Sequence, residues 1–528
     1  MVKNQYSATE AVERLEKEGF VFYNNKSTVE NFYKRILDLE KANKNGIWAR
    51  FLKNAFAPMI AGKFDFVVGN PPWIRWDYLS QDYRNATLQL WKDYGLFSMK
   101  KTHGFSRPDF CMLFVYASSD YFLKDSAKLG FLITQEVYKS KGAGEGFRRF
   151  RLGDKEYLKV LKAHDLVTIQ PFEGAANKTA AIILKKGEKT NYPLPYILWS
   201  RKKGIGKIAP DKLLSEVLPL LSMKKFSAEP MSSNTSAWQT YPKGFELLLK
   251  GIKNKNYYKA EYGVETKPYG VFWIKILQLL SDGNVIITNL SDAGKRKISK
   301  IEEKVEQDLI YPSLRGSDIK RWGVEQKIFI FLTHDMCNGK PIIESQFKNN
   351  FPRTYSYFTK FKKDLLSIEA KSTKKLREQK AFYSRFGIGD YTFSNFKVVW
   401  QRMSNDIFAA VVSEIKTPFG YKKVTPLDTT SFFAISNETE AHYLCAIINS
   451  NPVRDFIKSF SSAGRGFGTP SVMEHVGIPK FDPNDKLHQK LADISKQCHE
   501  LKLKGQEQDI QTLEKENDNL VKKLFKIK

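Results

Sequence analysis

The run Phe64-Asp65-Phe66-Val67-Val68-Gly69, continued without a break by Asn70-Pro71-Pro72-Trp73, constrains this chain more than any other stretch. A short apolar and β-branched segment predicts a buried strand, because branched side chains pack well on a pleated surface. Gly-Asn-Pro-Pro then ends it: each proline fixes φ and removes a backbone donor, so the strand must run into a rigid loop. In open α/β sheets the loops at the carboxyl ends of strands carry the chemistry.

The flanking periodicity agrees with such a sheet. From about residue 8 to 60, Val12, Leu15, Phe32, Ile36 and Leu39 recur at three- and four-residue steps, a helical pattern. Residues 109–123 (DFCMLFVYASSDYFL) predict a helix, 130–134 (GFLIT) a second buried strand, and 166–170 and 179–184 two more. The glycine-rich KGAGEGFRRF at 141–150 reads as a mobile segment ending in a helix start. This alternation predicts a doubly wound sheet up to about residue 190. Short strands, basic loops and scattered prolines then predict a domain of α+β type. The end of the chain lacks proline and spaces Leu491, Ile494, Leu501, Ile510, Leu513 and Leu520 near heptad intervals. It predicts one or two long helices that pack back on the body or form a short coiled coil. The expected organisation is a helical segment at 1–60, an α/β part at 61–190, an α+β domain at 191–484 and a helical segment at 485–528.

Charge narrows the partner. Lys and Arg outnumber Asp and Glu by 85 to 57, a net charge of +28, which a polyanion such as double-stranded DNA explains most economically. Cys111, Cys337, Cys445 and Cys498 lie far apart and form no CxxC pair, which argues against a zinc site or disulfide framework, and no metal is expected. No apolar run has signal-peptide length or reaches the ~18 residues of a membrane span, so a cytoplasmic protein without a membrane partner is expected.

An Asn-Pro-Pro-aromatic loop suits one reaction, methylation of an exocyclic amino group whose lone pair is delocalised into a base. The Asn70 side-chain oxygen and the Pro71 carbonyl can accept the two amino hydrogens, drawing the nitrogen toward tetrahedral geometry and freeing its lone pair. Pro71 and Pro72 keep both acceptors aimed, so preorganisation supplies the rate and no strong general base is needed. Trp73 offers a face on which a flipped base can stack, a contact worth roughly 1–3 kcal/mol. The bland alternative is an ordinary turn with Trp73 in the core, which the strand directly before the loop disfavours.

FDFVVGNPPWI resembles the catalytic motif of the adenine-specific amino-methyltransferases in which a cofactor half precedes the catalytic half and a target-recognition domain follows. RPDFCMLFVYASSDYFL and GFLITQ resemble the next helix and strand, and KSKGAGEGFRRF the loop leading into a short helix. PFEGAANKTAAIIL resembles the segment whose aromatic residue clamps the opposite face of the extruded adenine, which implies that role for Phe172. LIYPSLRGSDIKRW and GRGFGTPSVMEHVGIPKFDP resemble, more loosely, recurring segments of the recognition part. The resemblance is to the large enzymes of restriction–modification and phage-defence systems, including those fused to a nuclease. It implies an α/β fold with a partial Rossmann-like methyltransferase sheet, an α+β target-recognition domain and C-terminal helices. It also implies S-adenosylmethionine as methyl donor and the N6 amino group of a flipped adenine as acceptor.

One departure matters. The family holds S-adenosylmethionine with an earlier strand, a glycine-rich turn and an acidic residue for the ribose, and no GxG occurs before Asn70. The chain is therefore expected to be one piece of a split enzyme or a product without its cofactor half, with a separate S-adenosylmethionine-binding or restriction subunit as partner. The alternative is a DNA-recognition subunit that is silent alone. Methylation of RNA or of a protein glutamine would keep the Asn-Pro-Pro chemistry, but the long basic region after residue 190 favours duplex DNA. For reading bases, Gly464, Arg465 and Gly466 are the candidates: glycines let backbone approach a groove, and Arg465 can pair bidentately with guanine. A plain exposed turn is the competing explanation. Arg315, Lys320 and Arg321 are candidates for phosphate contacts. Asp406 and Glu414-Ile415-Lys416 match the spacing of a magnesium nuclease only superficially, and no cleavage is expected.

Overall fold

The computed structural model describes residues 1–527, apart from 23–24, 45–49, 52, 55, 58–60, 98–107, 141, 155, 173–176, 210, 368–370 and 462–465. Two helices come first, α1 (Ala8–Lys17) and α2 (Lys26–Lys41). Helix α1 starts at a capping box: the Ser7 hydroxyl accepts the Glu10 amide while the Glu10 carboxylate accepts the Ser7 amide. The two helices bury Ala8, Ala11 and Tyr33 against each other.

The next part is one mixed sheet of β1 (Phe64–Gly69), β2 (Leu123–Thr134), β3 (Arg151–Leu152), β4 (Glu156–Asp165), β5 (Thr179–Lys186), β6 (Leu194–Arg201), β7 (Leu221–Pro230) and β8 (Trp238–Pro242). Their order is β1-β2-β5-β4-β6-β7-β8, with β3 beside β4. Only β1 with β2 and β4 with β6 run parallel. Helices α3 (Gln81–Asp93) and α4 (Cys111–Tyr121) cover one face, where Trp91, Val115 and Tyr116 meet Leu129, Phe131, Val160 and Ile182.

Three expectations need correction here. The segment 166–170 is a turn and not a strand. The Asp165 carboxylate accepts the Val167 amide at 3.0 Å, and the Ile169 and Gln170 amides fold back to the Leu166 carbonyl. The strand lies just before it, where Leu158, Val160 and Ala163 point inward between lysines. The sheet also continues past residue 190, because Leu194, Tyr196, Ala228 and Trp238 close the same core. Finally, two of the three glycines of KGAGEG, Gly144 and Gly146, serve close packing, while Gly142 has nothing within 4 Å. A Cβ on Gly144 would lie 2.6 Å from the Val137 carbonyl oxygen, and one on Gly146 would lie 2.3 Å from that of Leu96.

Beyond residue 242 the chain is α+β. One sheet joins β9 (Ala260–Tyr262), β17 (Phe396–Gln401), β18 (Ala409–Val412) and β22 (Thr430–Ile435) in the order β18-β17-β22-β9. A six-stranded sheet, β12-β11-β10-β16-β13-β21, uses β10 (Trp273–Leu279), β11 (Asn284–Asn289), β12 (Glu302–Glu306), β13 (Ile310–Leu314), β16 (Ile328–Phe331) and β21 (Thr425–Pro426). Small hairpins are β14 (Ile319–Lys320) with β15 (Gly323–Val324) and β19 (Glu414–Thr417) with β20 (Gly420–Lys423). Helices α5 (Glu438–Ile448), α6 (Asn451–Phe460), α7 (Lys486–Leu503) and α8 (Glu507–Leu524) follow. The last two form a hairpin turned at Gly505, whose φ of 72° suits a residue without Cβ. They pack back on the body, where Leu491, Ile494, Ile510 and Val521 share a core with Trp400 and Phe433.

Candidate active site

Strand β1 is the outermost strand of its sheet and pairs only with β2 among the described residues. Successive side chains of a strand point to opposite faces. Val67 reaches the core, whereas Phe64, Phe66 and Val68 are 44%, 71% and 82% exposed. The expected buried strand is thus half right: it is apolar on both faces but covered on one. At its end, a Cβ on Gly69 would come within 3.0 Å of the Phe131 ring, so the missing side chain lets the loop leave directly over that ring.

The loop itself is firmly held. Pro71 is buried, while Asn70 and Pro72 face solvent. The Phe110 amide donates to the Ile74 carbonyl at 2.8 Å and the Trp76 amide to the Pro108 carbonyl at 2.9 Å, fastening the loop to the start of α4. Trp76 sits edge-on to Trp91 and Phe97. Trp73 is half-buried, and its indole N–H donates to the Leu132 carbonyl at 3.4 Å.

Phe172, on the connection from β4 to β5, stands edge-to-face with Trp73, ring centroids 5.4 Å apart and planes at 79°. The Asn177 amide on the same connection donates to the Trp73 carbonyl at 3.4 Å. The chain therefore brings Trp73 and Phe172 together beside the exposed Asn70. The contact is edge-to-face, so the two rings leave no parallel-walled slot between them.

The residues present do not fit S-adenosylmethionine. Among the described residues no strand lies beyond β1 to carry a glycine-rich turn, and the acidic residue of β1, Asp65, is paired with Lys124 at 2.9 Å. No cluster of three or more potential metal-binding side chains occurs among the described residues, and no described helix is long and apolar enough to cross a membrane.

Of the candidates for reading bases, Gly464 and Arg465 lie outside the described residues. Gly466 opens on space with no neighbour within 4 Å. Gly468, at the end of the same turn, is bound tightly: Trp400 Nε1 and the Ser431 hydroxyl both donate to its carbonyl at 2.8 Å. That fixes the turn to the end of β17, where the Arg402 guanidinium lies over the Tyr262 ring. Arg315 is held in a fork by Asp318 (2.9 and 2.7 Å) in a cavity of about 300 Å³ with Gln401, Met403 and the stacked rings of Tyr269 and Trp273. Lys320 is exposed, whereas Arg321 turns inward to Glu514 of α8 and the Asn449 carbonyl. Asp406 pairs with Lys458 at 3.0 Å, and Glu414 and Lys416 sit on the β19–β20 hairpin. No sequence signal marked Gln401, Arg402 or Met403, because their grouping depends on where the Gly468 turn docks.

Residues 7–168 match the family described as Eco57I restriction-modification methylase. The Type II methyltransferase M.NspV of a Nostoc species is 24% identical over 156 residues, 29% of this chain and 30% of that protein. The match thus spans under a third of that relative's length. Among solved structures, the Type IIL restriction-modification enzyme MmeI, determined in complex with DNA, superposes with a TM-score of 0.54 at 11% identity over 88% of this chain and 54% of its own. Sequence similarity to restriction–modification methylases thus covers the first part of the chain, and similarity of fold to such an enzyme covers most of it.

Proposed function

We propose that this chain is the base-holding and DNA-reading part of a site-specific DNA adenine-N6 methyltransferase of a restriction–modification or phage-defence system. The observation that carries the reading is the meeting of Trp73 and Phe172 beside the exposed Asn70 amide, at the tip of a strand. Asn70 Oδ1 and the Pro71 carbonyl accept the two hydrogens of the adenine amino group, which localises its lone pair; the surplus proton leaves to solvent after transfer. Trp73 and Phe172 hold the ring once their contact opens. The net charge of +28, with Arg315 and Lys320 at the recognition side, supports duplex DNA as the partner.

S-adenosylmethionine supplies the methyl group when bound, from a unit that the described residues do not contain. The open edge of β1 supports a docking place for it. Strand addition there completes a backbone ladder, and covering Phe66 or Val68 is worth about 1.5–3 kcal/mol each.

Calorimetric titration of the chain with S-adenosylmethionine is expected to show no binding; stoichiometric tight binding contradicts the need for a further unit. In the assembled enzyme, Asn70→Ala is expected to lower methylation by about 10²–10³-fold, the loss typical of one preorganised polarising group. Duplex affinity should stay within about twofold, since Asn70 meets only the extruded base. Unchanged turnover removes Asn70 from the chemistry.

A further inference from the structure

The edge of the sheet that carries Asn70 leads, one strand over, into a cavity of about 510 Å³ between the sheet and α6. That volume lies in the range of small-ligand sites. Its floor is formed where β2 and β4 end. Gln135 Nε2 donates to Asp165 Oδ2 at 2.9 Å, and the Tyr196 hydroxyl donates to the same oxygen at 2.5 Å. Gln135 is 7% exposed, and its Oε1 is buried with no hydrogen-bond partner among the described residues. Such an unmet acceptor is costly unless a ligand meets it. Phe226, Tyr241 and Phe245 supply flat apolar walls. Lys139 ties the sheet to α6 by donating to the Thr240 hydroxyl and the Ser459 carbonyl, both at 2.7 Å. Lys178 and Lys458 bring positive charge to the lining, where Asp165 and Asp455 are the acidic residues, and Lys458 also pairs with Asp406 at 3.0 Å.

Neighbouring strands lie about 4.8 Å apart, so Gln135 stands about one strand from the Asn70 loop and Asp165 about three. None of Asn70, Pro71, Trp73 and Phe172 lines the cavity, which is therefore beside the proposed place of the extruded base and separate from it.

We infer that this cavity is a second nucleotide subsite, taking a nucleotide with an exocyclic amino group whose hydrogen meets Gln135 Oε1, its ring among Phe226, Tyr241 and Phe245 and its phosphate toward Lys178 and Lys458. The inference rests on the DNA-methylation reading only for the source of that nucleotide, a residue of the bound strand next to the extruded adenine. A nucleotide with a carbonyl in place of the amino group leaves Oε1 unmet and faces it with a second acceptor.

The pair dCMP and dUMP isolates this contact and avoids the adenine site. Titrated into the full chain by calorimetry and saturation-transfer NMR, dCMP is expected to bind about fivefold or more tighter than dUMP. Gln135→Leu abolishes the preference, and Lys458→Gln weakens both ligands. Should Gln135→Leu not fold, Gln135→Asn withdraws the carbonyl by one methylene and has the same expected result. Asn70→Ala leaves the preference unchanged, so failure of the catalytic reading and failure of this one are told apart. Equal binding of the two nucleotides, or a preference that survives the Gln135 variants, overturns the subsite. A cytosine-containing pentanucleotide is expected to displace dCMP more effectively than dCMP itself; if it cannot, the DNA strand is overturned as the source and the cavity belongs to free nucleotides.

Discussion

Gly146 and Gly468 each stand where a side chain has no room. A Cβ would lie 2.3 Å from the Leu96 carbonyl oxygen in one case and 2.0 Å from that of Gln401 in the other. Backbone must move in both, so Gly146→Ala and Gly468→Ala are expected to destabilise by about 1–3 kcal/mol in urea unfolding. Gly206→Ala, with nothing within 4 Å, should stay within about 0.5 kcal/mol. Lys139 gives a pH signature. Part of its chain lines the cavity, but its ammonium is sunk, and burial pushes its pKa down to about 7 against the raising effect of Asp165. The charged form is disfavoured in the fold, so the unfolded chain binds more protons between about pH 7 and 10.5, and stability linked to this group rises across that window. The stability of the native chain relative to Lys139→Met should therefore increase from about pH 7 to pH 10, measured by thermal unfolding; a difference flat in pH contradicts the sunken ammonium. The loop Asn70 to Trp73 at the end of a strand was legible in the sequence because its residues are contiguous. The place of Phe172 beside that loop was legible through its order in the segment that carries the family resemblance. Gln135, Lys139 and Asp165 were not, since their meeting depends on how α6 closes over the sheet.

Strand β1 shows how far periodicity carries. A run apolar on both faces reads as buried, and the pattern cannot say whether the neighbouring strand is present. The exposure of Phe66 and Val68 is thus a fact about which face of the sheet is covered, which composition does not encode. Strand β4 shows the opposite error. Its lysines, Lys159 and Lys162, hid an alternating strand, while the apolar LVTIQ after it is turned away by the Asp165 carboxylate. At this scale the docking role proposed for β1 makes a prediction. Val68→Lys should leave the thermal stability of the isolated chain within about 0.5 kcal/mol, because the site is solvent-facing, and should abolish methylation by the assembled enzyme. Full activity in that variant contradicts strand addition at β1.

Across the whole molecule, the sheet tip that holds the two rings and the turn at Gly466 to Gly468 are tied together through α6. Lys139 donates to the Ser459 carbonyl and Gln239 to the Ser459 hydroxyl at 2.9 Å. On the proposed reading, base extrusion and base reading share one scaffold. A basic scaffold that binds DNA does so largely through phosphates, so affinity for duplex DNA should fall steeply and linearly on a log–log plot against salt. A nearly flat slope, measured by fluorescence anisotropy with duplex DNA, contradicts the DNA reading. The most direct test replaces Asn70 by Ala at the chromosomal locus, where every natural partner is present, and maps modified bases by single-molecule sequencing. The account predicts that N6-methyladenine disappears from one recurrent DNA sequence while the level of the chain is unchanged. A methylome identical to that of the parent contradicts it.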